Sequence, residues 1–225
     1  MKLVQQSQKF EITPPKEQHS FRVHSKLIPN DIRAVLSGPS GIGKTHLLME
    51  LIKHKHGLRF LNVYIFSKSL DQPLYRELEA IVTSIPGMEF YASNEEMLPV
   101  SQMKNYSIVI FDDVGLASQT ESRSVFSYGR HKHLTCIYIC QTYTQIPKQM
   151  LRDNANFLII FKQDGLNLKH IYDDFASQDL TWTEFKQMCS KCWEDKHGFL
   201  VISTQDNLNE GRYRKNLDKF FVFNK

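Results

Sequence analysis

No stretch of this 225-residue chain approaches the roughly eighteen uninterrupted apolar residues that a helical membrane span requires, so a membrane-crossing helix is excluded. The first residues, Met1 to Ser20, lack the apolar core of a secretory signal, and the expected setting is soluble and intracellular. Cysteine is scarce. Cys136 and Cys140 fall in one apolar run and Cys189 and Cys192 in another segment, which is not the dense spacing of a secreted disulfide scaffold, so reduced thiols are expected. Charge of one sign is lacking too: 28 basic residues against 24 acidic ones leave a net charge of +4, compatible with a polyanionic partner but identifying none. Internal repeats and low-complexity linkers are absent.

What remains is material for one substantial core, with 41% hydrophobic and 12% aromatic residues. Residues 1–30, with Pro14-Pro15 and Pro29, read as an N-terminal arm, and 31–225 as a single domain. Short apolar runs recur at Ala34–Leu36, Val63–Phe66, Ile108–Phe111, Cys136–Ile139 and Phe157–Phe161, each suited to a strand buried on both faces. Helical patterns over Thr45–His56, Pro73–Ser84, Gln119–Gly129 and Ile146–Asn154 separate most of them. Such alternation predicts an α/β fold: a mostly parallel central sheet flanked by helices. A helix at Trp182–Trp193, a strand at Phe199–Ser203 and an aromatic-basic tail complete the chain.

Gly38-Pro39-Ser40-Gly41-Ile42-Gly43-Lys44-Thr45 satisfies GxxxxGK[ST], directly after the strand AVLS and directly before a helix beginning THLL. Glycines allow the loop to turn its backbone N–H groups around phosphate, and the next helix adds its positive end. The expected ligand is ATP with magnesium, held by this loop and His46, with Lys44 bridging phosphates and the Thr45 hydroxyl on the metal. A chance glycine-rich turn is the alternative, and both flanks weigh against it. A second acidic site follows the hydrophobic run Ser107–Phe111, where Asp112-Asp113 end a strand, as in a Walker B element. Asp112 is the expected magnesium-side carboxylate, and Asp113 the group that orients and deprotonates the attacking water. Glutamate is commoner in that role, and a turn cap is the plainer use of either aspartate. Gln141, ending the strand Thr135–Cys140, is placed to reach the γ-phosphate or the lytic water. The guanine-reading tetrad N-K-x-D does not occur, which argues against a GTPase.

The succession GPSGIGKT, IVIFDD, IYICQT, then Ile146-Pro147-Lys148 and Arg152-Asp153-Asn154, resembles the genome-packaging ATPases of large DNA viruses, virophages and related elements. These form the poxvirus-type branch of the FtsK/HerA division, and the resemblance covers Ile32–Gln163. It implies a RecA-like P-loop NTPase that works as a ring-shaped homo-oligomer, pumping double-stranded DNA into a preformed capsid. It further implies a capsid or portal partner and a place at the virus assembly site in an infected cell, or in the virion. In such motors an arginine from the adjacent subunit completes each site; Arg152 is the first candidate and Arg130 the second. Two departures stand out: Asp113 where many of these motors carry glutamate, and no recognisable extra domain for gripping DNA. The rival readings are an AAA+-type helicase loader, which needs a helical lid after the core, and a non-catalytic, nucleotide-gated assembly protein.

Cys189-x-x-Cys192 near His197, or His131-x-His133, could suggest zinc, but a helix shared with Trp182, Phe185 and Met188 favours core packing. Basic clusters occur at Lys53–His56, Arg130–His133 and Arg212–Lys215. The last interleaves Tyr213 and is the expected DNA-facing one, with a solvated helix end as the alternative for each.

Overall fold

The computed structural model describes residues 24–114, 119–148 and 152–223. Among them the strands are β1 (Arg33–Ser37), β2 (Asn62–Ser67), β3 (Glu89–Ser93), β4 (Ser107–Asp112), β5 (Thr135–Cys140), β6 (Phe157–Ile160), β7 (Leu200–Ser203), β8 (Tyr213–Lys215) and β9 (Lys219–Phe220). The helices are α1 (Lys44–Lys53), α2 (Pro73–Thr83), α3 (Gln119–Tyr128), α4 (Gly165–Phe175) and α5 (Trp182–Cys192). One sheet takes them in the order β3-β2-β4-β5-β1-β6-β7-β8-β9. Every pairing from β3 to β6 is parallel, and β7, β8 and β9 add antiparallel. None of the described helices is long and apolar enough to cross a membrane.

Every residue of β2, β4 and β5 is buried, which explains their unbroken apolar runs: both faces of a parallel sheet are covered by helices. Side chains alternate between two cores. Ile108 and Ile110 pack with Leu48 and Met49 of α1 and with Leu78 of α2, whereas Val109 and Phe111 pack with Val125 and Phe126 of α3 and with Ile171 of α4. A one-residue slip of β4 would exchange the two sets, so the register is strongly specified.

Cys189 and Cys192 lie fully buried in the second of these cores, and burial pushes the Cys192 thiol up to about 12. No group of His, Cys, Asp and Glu able to hold a metal by itself occurs among the described residues. The basic tail is a correction. Tyr213 is buried, Arg212 pairs with Asp179 at 2.5 Å, Arg214 with Asp206 at 2.5 Å, and Lys215 with Glu194 and Asp195 at 3.3 and 3.4 Å. These cations are neutralised within the chain and do not form a free phosphate-tracking stripe. The expected helix over Ile146–Asn154 does not begin at Ile146, which is extended (φ −76°, ψ 125°), the conformation favoured before Pro147; residues 149–151 lie outside the described set. Likewise α1 ends at Lys53, since His54 is already extended.

The start of the described chain is stitched to the sheet edge opposite the C-terminal strand ends. The Arg59 backbone N–H donates to His24 Nδ1 at 3.0 Å, so Nε2 carries the hydrogen and donates to Thr135 Oγ1 at 3.1 Å. Burial, aided by the Arg59 charge, pushes His24 down to about 4. The unfolded chain therefore takes up this proton first as pH falls: the stability His24 contributes is whole above about pH 6.5 and declines towards pH 4, by on the order of 3 kcal/mol. Urea midpoints measured between pH 7.5 and 4.5 are expected to fall more steeply for the parent protein than for His24→Gln; equal slopes would assign the acid sensitivity to other groups.

Candidate active site

Strands β1, β4 and β5 are parallel neighbours through β5, so their C-terminal ends emerge at one edge of the sheet. The pairs Ser37↔Cys140 and Asp112↔Ile139 hold those ends level. Since β1 is flanked by β5 and β6 while the chain leaves it for the more distant β2, this edge is where connections diverge and a crevice opens. A cavity of about 470 Å³ lies there, bordered by Ser40, Gly41, Gly43, Lys44, Thr45 and His46 from the loop and first turn of α1. Asp112, Asp113 and Gln141 border it from the other two strands, and Gln72 from the start of α2. A larger cavity of about 640 Å³ lies between residues 25–28, α1 and Leu217, but its lining is mostly apolar and has no glycine-rich loop.

The loop takes its shape from close packing and glycine conformations. A Cβ on Gly38 would stand 2.7 Å from the Cβ of Phe161, so only glycine lets the chain turn there beside β6. Gly43 sits at φ +107°, a region closed to most L residues. It caps α1 without a side-chain hydrogen bond, and no acidic residue occupies the first turn, so the helix presents its N–H groups and positive end to the cavity.

Lys44 is buried, and its Nζ donates to Gly38 O at 2.6 Å and to Pro39 O at 2.9 Å. Gly38, Pro39 and Ile42 thus serve as the frame of the loop and do not line the cavity. Burial lowers the Lys44 pKa, while Cys140, Asp112 and Asp113 pull the other way. Asp112, ending β4, is only 8% exposed. Burial raises its pKa, opposed by the hydrogen bond that the Tyr75 hydroxyl donates to Oδ2 at 2.6 Å. A desolvated carboxylate beside a hydroxyl-bearing loop is a hard-oxygen donor set of the kind magnesium uses, with one or two protein ligands and phosphate oxygens completing the sphere. Asp113 is exposed and takes φ +52°, a strained turn for a side-chain-bearing residue that leaves its carboxylate at the cavity rim. Gln141 is exposed and follows β5, the strand that lies between β1, which leads into the loop, and β4, which ends in Asp112.

Tyr75 and Gln72 are missing from the sequence reading. They sit three apart at the start of α2, before and after Pro73, and both touch Asp112. Their spacing places them on one helix face, but nothing local marks that face as turned towards β4.

The structure places Arg152 differently from its expected role. Its Nη1 bonds Asp174 Oδ2 at 2.9 Å with the two side chains 12% and 8% exposed, and its guanidinium lies over the Tyr143 ring at 5.3 Å. Tyr143 donates to the same carboxylate at 2.8 Å. As placed, Arg152 ties β6's approach to α4 within one subunit and is not extended for a neighbour. Arg130 is exposed in the turn Gly129–Lys132 that follows α3.

The family described as Poxvirus A32 protein matches residues 18–176. The DNA packaging protein of Variola virus is 30% identical over 140 residues, covering 56% of this chain and 51% of that protein. The DNA packaging protein of Vaccinia virus (strain Copenhagen) is 31% identical over 136 residues, covering 54% and 50%. The chain spans about half the length of these curated relatives. Among solved structures, the genome packaging NTPase of Sulfolobus turreted icosahedral virus 2 aligns in its sulfate complex with a TM-score of 0.54 at 16% identity, covering 79% of this chain and 93% of that one. Its AMPPCP complex gives 0.55 at 15% identity, covering 79% and 94%. At these identities the likeness is one of fold.

Proposed function

The chain belongs to the Poxvirus A32 protein family, and from that premise we propose that it is a viral genome-packaging ATPase, coupling ATP hydrolysis to movement of double-stranded DNA. The observation that carries the reading is the convergence of Lys44, Asp112, Asp113 and Gln141 on one cavity at the uncapped start of α1. The triphosphate lies against the N–H groups of Gly41 to Thr45. Lys44 exchanges the Gly38 and Pro39 carbonyls for phosphate oxygens, its charge opposing the negative charge that builds up during transfer. Thr45 and Asp112 would hold magnesium, which when bound would supply positive charge to neutralise the phosphates. Tyr75 and Gln72 fix the Asp112 carboxylate in its orientation. Asp113 orients the attacking water and takes its proton, and Gln141 stands between them as the group that touches the terminal phosphate.

A ring of identical subunits would let an arginine of one complete the site of the next. With Arg152 engaged by Asp174, Arg130 becomes the better candidate because it is exposed. DNA, a capsid or portal component and a location at the assembly site follow from the same proposal. After α5 the described chain returns to the sheet as β7, β8 and β9, where a helicase loader would carry a helical lid.

Phosphate release by the purified protein, with and without long linear double-stranded DNA, tests the reading. Turnover stimulated several-fold by DNA is expected. Turnover indifferent to DNA would favour a loader, and none above background would favour a nucleotide-gated scaffold.

A further inference from the structure

His197 lies in the turn between α5 and β7, 155 positions from Ile42, yet its Nδ1 stands 3.0 Å from the Ile42 carbonyl oxygen. A carbonyl only accepts, so Nδ1 carries the hydrogen in this contact. The turn is anchored independently: Trp193 Nε1 donates to Ile160 O at 3.1 Å, Gly198 N to Asp195 O at 2.9 Å, and Lys215 pairs with both Glu194 and Asp195. The ring therefore comes to the loop from a fixed base. A Cβ on Gly43 would meet His197 Nδ1 at 3.6 Å, which places the ring beside the peptide joining Ile42 to Gly43.

That peptide is planar and trans, so its C=O and N–H point to opposite sides. Drawing the Ile42 oxygen towards His197 turns the Gly43 N–H away from it, and Gly43 itself borders the cavity. The constraint matters because Gly43 (φ +107°) forms one side of the peptide and Gly41 (φ +73°) stands one residue before it, and glycine resists rotation least. No side chain caps α1 to hold this orientation instead.

We infer that His197 is a positioning residue of the phosphate loop, fixing the Ile42–Gly43 peptide so that the Gly43 N–H faces the β- and γ-phosphates of a nucleoside triphosphate. The inference rests on the proposed nucleotide role of the cavity. It gives the turn after α5, beyond the stretch that matches the family, a part in nucleotide binding.

The test compares His197→Ala and His197→Asn with the parent, measuring affinity for a non-hydrolysable ATP analogue and for AMP, together with nucleotide-free melting temperature. His197→Ala is expected to weaken the triphosphate about tenfold, the scale of one well-placed hydrogen bond, with AMP affinity and melting unchanged. His197→Asn, whose amide N–H can replace the imidazole donor, is expected to recover most of the loss. Unchanged triphosphate affinity in His197→Ala, or equal losses in both variants accompanied by lower melting temperatures, would overturn the inference. Lys44→Ala, titrated in parallel, separates the two readings: if it too binds the analogue normally, the nucleotide role of the cavity fails before the question of His197 arises.

Discussion

Lys44→Ala is expected to lower ATP turnover on the order of a thousandfold while leaving the fold intact. Among the described residues Lys44 is the one lysine or arginine bordering the cavity between the loop and Asp112, and burial already lowers its pKa, so its charge is held in a poorly solvated place where opposing charge is felt strongly. Alanine removes that charge from the phosphates. The Gly38 and Pro39 carbonyls lose a donor as well, yet Pro39 is exposed and water can replace it. Asp112 then loses a neighbouring positive charge and its carboxyl becomes still harder to ionise, which weakens its hold on a divalent cation. Lys44→Arg should not rescue, because a planar guanidinium does not fit where a compact ammonium bonds two carbonyls 2.6 and 2.9 Å away. Steady-state phosphate release checks this; residual turnover within tenfold of the parent would place the chemistry elsewhere.

Arg152→Ala is expected to act chiefly on stability. Asp174 is 8% exposed, and removing the guanidinium leaves its carboxylate with Tyr143 and with Lys148, a 65%-exposed lysine 3.4 Å away. Breaking a buried pair from one side leaves a charge poorly compensated, at a cost of about 3 kcal/mol. Arg130→Ala, at an exposed position, should change stability by less than about 0.5 kcal/mol. Denaturant unfolding of both variants measures the difference. The contrast extends to function: folded Arg152→Ala subunits should keep their hydrolysis, and mixing them with Lys44→Ala subunits should add nothing beyond their own share. Rescue in such mixtures, with Arg152→Ala as stable as the parent, would return Arg152 to a role across the subunit boundary.

The place of the glycine-rich loop and of the acidic strand end could be read from consecutive residues because the conformations they need are local. Gly38 to Thr45 needs its glycines at fixed spacing, and β4 shows its burial on both faces as an unbroken run ending in Asp112. Gln141 followed the same logic at the end of β5. By contrast β3, at the sheet edge and only partly buried, has no such run to betray it. The helix α4 carried a legible start, Asp164 accepting from the N–H groups of Leu166 and Asn167, although no long apolar run drew attention to it.

Long-range pairing was beyond such reading. Arg212, Arg214 and Lys215 look like a nucleic-acid stripe until Asp179, Asp206 and Glu194 are seen to neutralise them, and Arg152 looks free until Asp174 meets it. Tyr75 and His197 join the site only because α2 and the turn after α5 fold back upon it. Spacing along the chain records which residues share a loop, a strand or a helix face; which charge is answered, and by whom, depends on distances of a few ångströms between segments far apart in sequence.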